Sequence, residues 1–226
     1  MIKLIAFDLD DTLYDESTFV IGGFKAVSKY IAAKYHLNEE QLLDSCMEVL
    51  NTKGRGKIFD ELCKKYNLQE DIAYLIKVYR NNEEPLKLFS DAEEVLESLK
   101  KSNYKTAIVT DGMAFVQRNK IKALKLEQLV DYIVVTDEHG AENWKPSSYA
   151  FKLLLSKFDL MGSEAVYVGD NPKKDFIGAR AAGFKTIRII REIGVHRNLF
   201  LDREHEADIN MKNLTEIEHY LKGESL

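Results

Sequence analysis

Short apolar runs alternate along this chain with longer segments of helical period. Ile2 to Phe7, Thr106 to Val109, Tyr132 to Val135, Ala165 to Val168 and Thr186 to Ile190 keep apolar or β-branched residues at successive positions, the pattern of strands buried on both faces. Between them, Asp91 to Lys101, Ala114 to Leu124, Pro146 to Phe158 and Pro172 to Ala182 repeat apolar residues at three- and four-residue spacing, which predicts helices. Strands alternating with such helices predict right-handed crossovers and a parallel sheet. Ala207-Asp208-Ile209 predicts a short edge strand and Leu214 to Leu221 a closing helix.

One stretch breaks the alternation. Between the first strand and the helix at Asp91 lie about 75 residues without a strand pattern. Gly22 to Tyr35, Glu39 to Leu50, Ile58 to Tyr66 and Glu70 to Tyr79 carry helical periodicity instead. A crossover needs only about a dozen residues, so the excess predicts an inserted helical subdomain. The expected division is residues 1–14 and 89–226 for a Rossmann-like core of three layers around a parallel sheet, and residues 15–88 for the α-helical insertion.

Composition narrows the class. The chain has 226 residues, 45% hydrophobic and 31% charged, with 15 Gly and Pro together (12 + 3), so a globular α/β protein is expected rather than a disordered one. Its net charge of −5 lacks the basic footprint of a nucleic-acid binder. No apolar run approaches the roughly 20 residues that span a bilayer, and the first run meets Asp8 too soon for a signal peptide. Cys46 and Cys63 are too few for a disulfide framework, which makes a reducing cytoplasm the expected compartment. The five histidines show no metal-ligand spacing, and the pattern names no partner chain.

The distinctive polar clusters each follow a predicted strand, where open parallel sheets bind ligands. In Asp8-Leu9-Asp10-Asp11-Thr12, residues two apart in extended chain project to one side, roughly 6–7 Å apart. Asp8 and Asp10 would repel unless a cation, a shared proton or different roles separate them; alone, Asp-x-Asp also fits a solvated turn. In Gly169-Asp170-Asn171-Pro172-Lys173-Lys174-Asp175, Asn171 suits a helix N-cap and Pro172 the first helical position. Asp175 then falls in the first helical turn, where it could simply complement the helix dipole. Asp170 sits at the strand end itself, where a carboxylate can reach a shared cation, and oxygen-rich surroundings favour Mg²⁺ over zinc. Thr110-Asp111-Gly112 reads equally as a plain strand-to-helix turn or as a seat for phosphate oxygens. Lys145-Pro146 places a lysine just before another helix. Together these suit phosphoryl transfer, with one carboxylate attacking phosphorus to give an aspartyl-phosphate and a second serving as acid and base.

Taken in order, Asp8-Leu9-Asp10-Asp11-Thr12, Thr110-Asp111-Gly112, Lys145-Pro146 and Gly169-Asp170 with Asp175 resemble the four motifs of the haloacid dehalogenase-like hydrolases, over nearly the whole chain. The helical insertion after the first motif resembles the small cap of one large branch. The resemblance implies that Asp8 is nucleophile and Mg²⁺ ligand, and that Asp10 is general acid and base and lends its backbone carbonyl to the metal. It implies Asp170 as the other carboxylate on the ion, with Asp175 behind it, reaching the metal through water or orienting Lys145. Thr110 and the backbone of Asp111 and Gly112 would hold phosphoryl oxygens, and Lys145 would balance charge on Asp8 and the phosphate. Dehalogenases of the family lack the second acid of the first motif, so retention of Asp10 argues against halide chemistry. The implied strand order puts the first strand centrally, between those that carry Thr110 and Asp170.

The expected activity is a Mg²⁺-dependent phosphatase of a small phosphorylated metabolite, such as a sugar phosphate or nucleotide. A β-phosphoglucomutase-like phosphomutase and a non-catalytic metabolite-binding protein are the alternatives. In the insertion, Arg55 or Lys57 of Lys53-Gly54-Arg55-Gly56-Lys57 is expected either to meet an anionic part of the substrate or to lie in a solvated loop. Gly22-Gly23 fits a close approach or a flexible helix start. Trp144 is expected to pack under Lys145. Gly178-Ala179 and Ala181-Ala182-Gly183 are expected to bring their helix close to the sheet, with Gly183 ending it.

Overall fold

The computed structural model describes residues 1–223. The chain divides into two compact units, one made of Met1–Glu16 with the chain from Leu86 onward, the other of Ser17–Pro85.

The first unit is built on strands β1 (Leu4–Phe7), β2 (Lys105–Thr110), β3 (Tyr132–Val135), β4 (Ala165–Gly169), β5 (Lys185–Ile189) and β6 (Ile209–Met211). They form one sheet in the order β3-β2-β1-β4-β5-β6, every pair parallel. That order places β1 in the middle, between β2 and β4, with Phe7 opposite Ile108 on one side and Val168 on the other. The strand ends that precede Asp8, Asp111 and Asp170 therefore lie side by side.

Both faces of the sheet are covered, which is why its strands are continuously apolar. On one face Leu4, Ala6, Ala107, Val109, Ala165 and Tyr167 pack with α7 (Tyr149–Phe158) and α8 (Asp175–Ala181) through Phe151, Leu154, Phe176 and Ala179. By the two-residue period of a strand, the equally buried Ile5, Phe7, Ile108, Val166 and Val168 point to the other face. There α5 (Ser90–Lys101) contacts β2. The helix α6 (Ala114–Ala123) follows β2, and α9 (Glu216–Lys222) closes the described chain.

The second unit holds α1 (Glu16–Tyr35) beyond its first residue, α2 (Glu39–Lys53), α3 (Ile58–Tyr66) and α4 (Ile72–Arg80). Its core gathers Val20, Phe24, Val27, Ile31, Leu42, Phe59, Leu62 and Leu75. Gly22 and Gly23 are neither a joint nor a helix start, because α1 begins at Glu16 and runs through them. They are sites of close packing: a Cβ on Gly22 would fall 2.3 Å from Glu84 Cβ, and one on Gly23 would fall 2.3 Å from the Tyr79 ring.

Among the element starts that differ from the pattern-based reading, three have a cause in the local hydrogen bonds. α7 begins at Tyr149 rather than Pro146, because residues 145–148 turn first, with Ser147 N donating to Trp144 O at 2.8 Å. α8 begins at Asp175 rather than Pro172; the Asn171 side chain accepts from Lys173 N at 3.0 Å and organises a turn ahead of the helix instead of capping it. β6 starts at Ile209, since the Asp208 carboxylate is already bonded to Thr186 N and Oγ1, each at 2.8 Å.

Candidate active site

Asp8 is the first residue past β1, and its N–H donates to Val168 O at 2.8 Å, so the chain stays registered to β4 beyond the last ladder pair. This brings its carboxylate beside those that follow β4. Oxygens of Asp8, Asp170 and Asp175 lie within 4.8 Å of one another, all three residues buried. Two carboxylates at such a separation repel by about 3 kcal/mol at an effective dielectric near 20. Gly169 makes the approach possible, since a Cβ there would sit 2.4 Å from Asp175 Oδ2.

Lys145 is the ammonium that answers these acids. Its side chain is fully buried, and Nζ donates to Asp8 Oδ1 at 2.7 Å, to Asp175 Oδ1 at 2.8 Å and to the Tyr167 hydroxyl at 2.8 Å. Burial opposes its charge, but Asp175 and Asp8 outweigh that and hold its pKa well above the ordinary lysine value. Asp175 is braced on its other oxygen by Asn171 N at 2.8 Å, so it orients the lysine. Trp144 is not packed under Lys145 as expected: it is exposed, and the Tyr167 ring takes that place, with Nζ 5.5 Å from its centroid.

Fully ionised, three carboxylates against one ammonium would leave the cluster two negative charges in excess. Burial pushes the Asp8 carboxyl up to about 6, with Lys145 pulling against it and Asp175 adding to it. Asp170 is pushed to about 9 by burial and by the charges of Asp175 and Asp8. Such a deficit of positive charge, lined by oxygen ligands only, fits a hard divalent cation. Asp8 and Asp170 are the candidates to hold it, because both oxygens of Asp175 are engaged by Lys145 and Asn171.

Asp10 lies elsewhere. Its carboxylate is turned to α6, accepting from Lys120 Nζ and the Tyr14 hydroxyl on Oδ1 and from Gln117 on Oδ2. Burial raises its pKa, but Lys120 and these hydrogen bonds outweigh burial and hold the carboxyl below the ordinary range. The Asp111 side chain is also occupied, accepting from Thr136 Oγ1 at 2.7 Å and Lys145 N at 3.1 Å and pairing with Lys174 at 3.3 Å. It therefore locks the Lys145 segment, and only its backbone is suited to an anion. Thr110 is buried at the end of β2, and Gly112 follows with φ of 122°. Arg55 and Lys57 lie in the exposed turn between α2 and α3 of the other unit, with Lys57 immediately ahead of α3.

Tyr14, Gln117, Lys120, Tyr167 and Lys174 are site neighbours that the sequence pattern did not single out. Tyr167 reads as one more apolar position of a buried strand. Gln117 and Lys120 carry one usable signal: they are three apart on the helix that follows Thr110-Asp111-Gly112, and so share a face.

Among known proteins, the sequence profile described as haloacid dehalogenase-like hydrolase matches residues 5–189. The chain is 32% identical to the glyceraldehyde 3-phosphate phosphatase of Methanocaldococcus jannaschii over 98% of this chain and 99% of that protein. It is 29% identical to the protein of the same name from Pyrococcus furiosus, over 99% of this chain and 95% of the relative. The fold is that of a HAD-hydrolase from Bacillus subtilis solved with magnesium, with a TM-score of 0.68 at 18% identity over 97% of this chain and 98% of the other. The parallel sheet centred on β1, the acids grouped at its strand ends and the profile match over most of the length agree, and the chain belongs to the haloacid dehalogenase-like hydrolases.

Proposed function

We propose that this protein is a Mg²⁺-dependent phosphatase of a small phosphorylated metabolite, acting through an aspartyl-phosphate on Asp8. The observation that carries the reading is the convergence of the Asp8, Asp170 and Asp175 carboxylates around the single ammonium of Lys145. The names of the relatives make a three-carbon sugar phosphate the first substrate to try.

In the reading, Asp8 and Asp170 would hold Mg²⁺, which when bound would supply positive charge against the phosphoryl oxygens. Asp8 attacks phosphorus, the bond to the ester oxygen breaks, and Asp10 supplies the proton that the departing alkoxide takes. Water then attacks the phosphorus of the acyl phosphate, its proton passes to Asp10, and phosphate leaves with the Asp8 carboxylate restored. Asp10 rests as a carboxylate in the arrangement described; the negative charge of a bound phosphate raises its proton affinity, the direction an acid needs. Thr110 Oγ1 and the backbone after it receive phosphoryl oxygens, and Lys145 keeps Asp8 oriented. Selection of the substrate is assigned to the helical unit, with Arg55 or Lys57 meeting an anionic group; unchanged kcat/KM of Arg55→Ala on every good substrate would remove the assignment of Arg55.

The test is a phosphomonoester panel that includes glyceraldehyde 3-phosphate and nucleoside monophosphates, read as free phosphate with Mg²⁺ and again with EDTA. Release that depends on Mg²⁺ is expected. Isomerised monoester in place of free phosphate, with a bisphosphate activator present, would make the protein a phosphomutase, and silence across the panel would remove the enzyme reading.

A further inference from the structure

The mechanism above leaves two polar residues of α6 without a task. Gln117 and Lys120 lie one turn apart on the same face, and both are buried, Lys120 at 4% exposure. Lysine and glutamine are seldom buried unless their polar atoms are committed. Lys120 Nζ donates to Asp10 Oδ1 at 2.7 Å and stands 4.0 Å from Glu16 Oε1. The Tyr14 hydroxyl donates to the same Oδ1 at 2.6 Å. Gln117 Nε2 donates to Asp10 Oδ2 at 3.0 Å and to Thr110 Oγ1 at 2.6 Å.

These contacts can be counted. A carboxylate only accepts, so the amide nitrogen of Gln117 must face Asp10. Both hydrogens of that nitrogen are then used, and Thr110 Oγ1 is the acceptor of the second, which leaves the threonine's own proton free. On Asp10, two donors fill the lone pairs of Oδ1, while Oδ2 holds one donor and keeps one lone pair open. Gly112 provides the space: a Cβ there would fall 3.3 Å from Gln117 Cδ, at a backbone φ of 122°.

We propose that Gln117 and Lys120 are positioning residues of phosphoryl transfer. Together they hold the Asp10 carboxylate in one orientation, with Oδ2 the oxygen left open for the leaving group. Gln117 also orders the Thr110 hydroxyl so that its proton is available to a phosphoryl oxygen. The inference rests on the phosphatase reading and deepens it.

The leaving group tests it. An alkoxide cannot depart without a proton, whereas p-nitrophenolate leaves as an anion; hydrolysis of the acyl phosphate is common to both esters, so only in the transfer to Asp8, the step that kcat/KM reports, does the alkyl ester alone depend on a well-placed Asp10. The full-length Mg²⁺-loaded enzyme and its Lys120→Met, Lys120→Arg and Gln117→Leu variants are assayed on glycerol phosphate and on p-nitrophenyl phosphate, with kcat and KM separated. Misplacement of a reacting group costs on the order of a hundredfold. Lys120→Met should lose about that much kcat/KM on glycerol phosphate and under about tenfold on the aryl ester. Lys120→Arg should recover part of the difference, and Gln117→Leu should also raise KM for both esters through Thr110. Equal losses of kcat/KM on the two esters in folded Lys120→Met protein would overturn the proposal, and Lys120→Arg reads the same ratio should K120M not fold. A wild-type enzyme inactive on both esters would remove the phosphatase reading, and this inference with it.

Discussion

Asp8 and Asp170 differ from ordinary surface acids in one physical respect: each keeps its proton to a higher pH, about 6 and about 9 respectively, because burial and neighbouring carboxylates disfavour the charge. An acid whose pKa is raised by folding contributes stability that is complete below its unfolded value and is lost as pH rises through the folded one. The metal-free protein should therefore lose stability from these two groups as pH climbs from about 4 to about 9. Mg²⁺ binds the deprotonated carboxylates, so its gain in Tm should grow over the same window. Thermal melts with Mg²⁺ and with EDTA across that range check the sign, and a gain independent of pH would contradict it. At the same scale, Asp8→Asn should fold normally and lose at least about a thousandfold in kcat; appreciable residual turnover would remove Asp8 as nucleophile. Asp8, Asp10 and Asp170 could be picked out from sequence because their motifs stand at the end of apolar runs. Gln117 and Lys120 could not, since a polar residue on a helix reads as solvent-facing until its acceptor, Asp10, is brought in from 107 and 110 positions away.

The packing of α8 illustrates what periodicity conveys about an element and what it leaves out. Its small residues were expected to allow a close approach to the sheet. Ala179 packs with the strand residues of the core, while the closest approach at Gly178 is to the 146–147 backbone, where a Cβ would fall 2.3 Å from Pro146 O and 2.6 Å from Ser147 O. That segment carries Lys145, so helix and lysine are positioned together. Gly178→Ala should cost about 1–3 kcal/mol by overpacking, despite the higher helix propensity of alanine, and should lower kcat by shifting Lys145. Urea denaturation and steady-state kinetics measure the two effects; an unchanged midpoint with unchanged kcat would show that the backbone yields freely. The strands were legible because burial on both faces leaves continuous apolar runs. The start of α8 was not, because Asn171-Pro172 satisfies the usual cap signature while the Asp175 carboxylate, bonded to Asn171 N, makes the turn ahead of the helix.

Across the catalytic unit, distant segments are tied by a buried ion pair. Arg191, just past β5, donates to Asp91 Oδ2 at 2.6 Å and to Thr12 O at 2.7 Å, and Leu214 N donates to the same Asp91 oxygen at 2.8 Å. The first motif, the start of α5 and the approach to α9 thus share one charge cluster. Arg191→Met should cost about 3–5 kcal/mol, since it leaves Asp91 buried without its counter-charge; a loss below about 1 kcal/mol in denaturation would contradict this. The parallel sheet and the central place of β1 followed from the alternation of elements and the resemblance of the motifs, whereas Arg191 and Asp91 carry no signal that pairs them before the chain is folded. The central claim is that Asp8 and Asp170 bind one metal ion beside the atom that takes the phosphoryl group. A crystal structure of the protein with Mg²⁺ and beryllium trifluoride tests it most directly. The account predicts beryllium bonded to an Asp8 oxygen and a single Mg²⁺ touching both Asp8 and Asp170; beryllium on another residue, or a metal ion that touches neither aspartate, would contradict it.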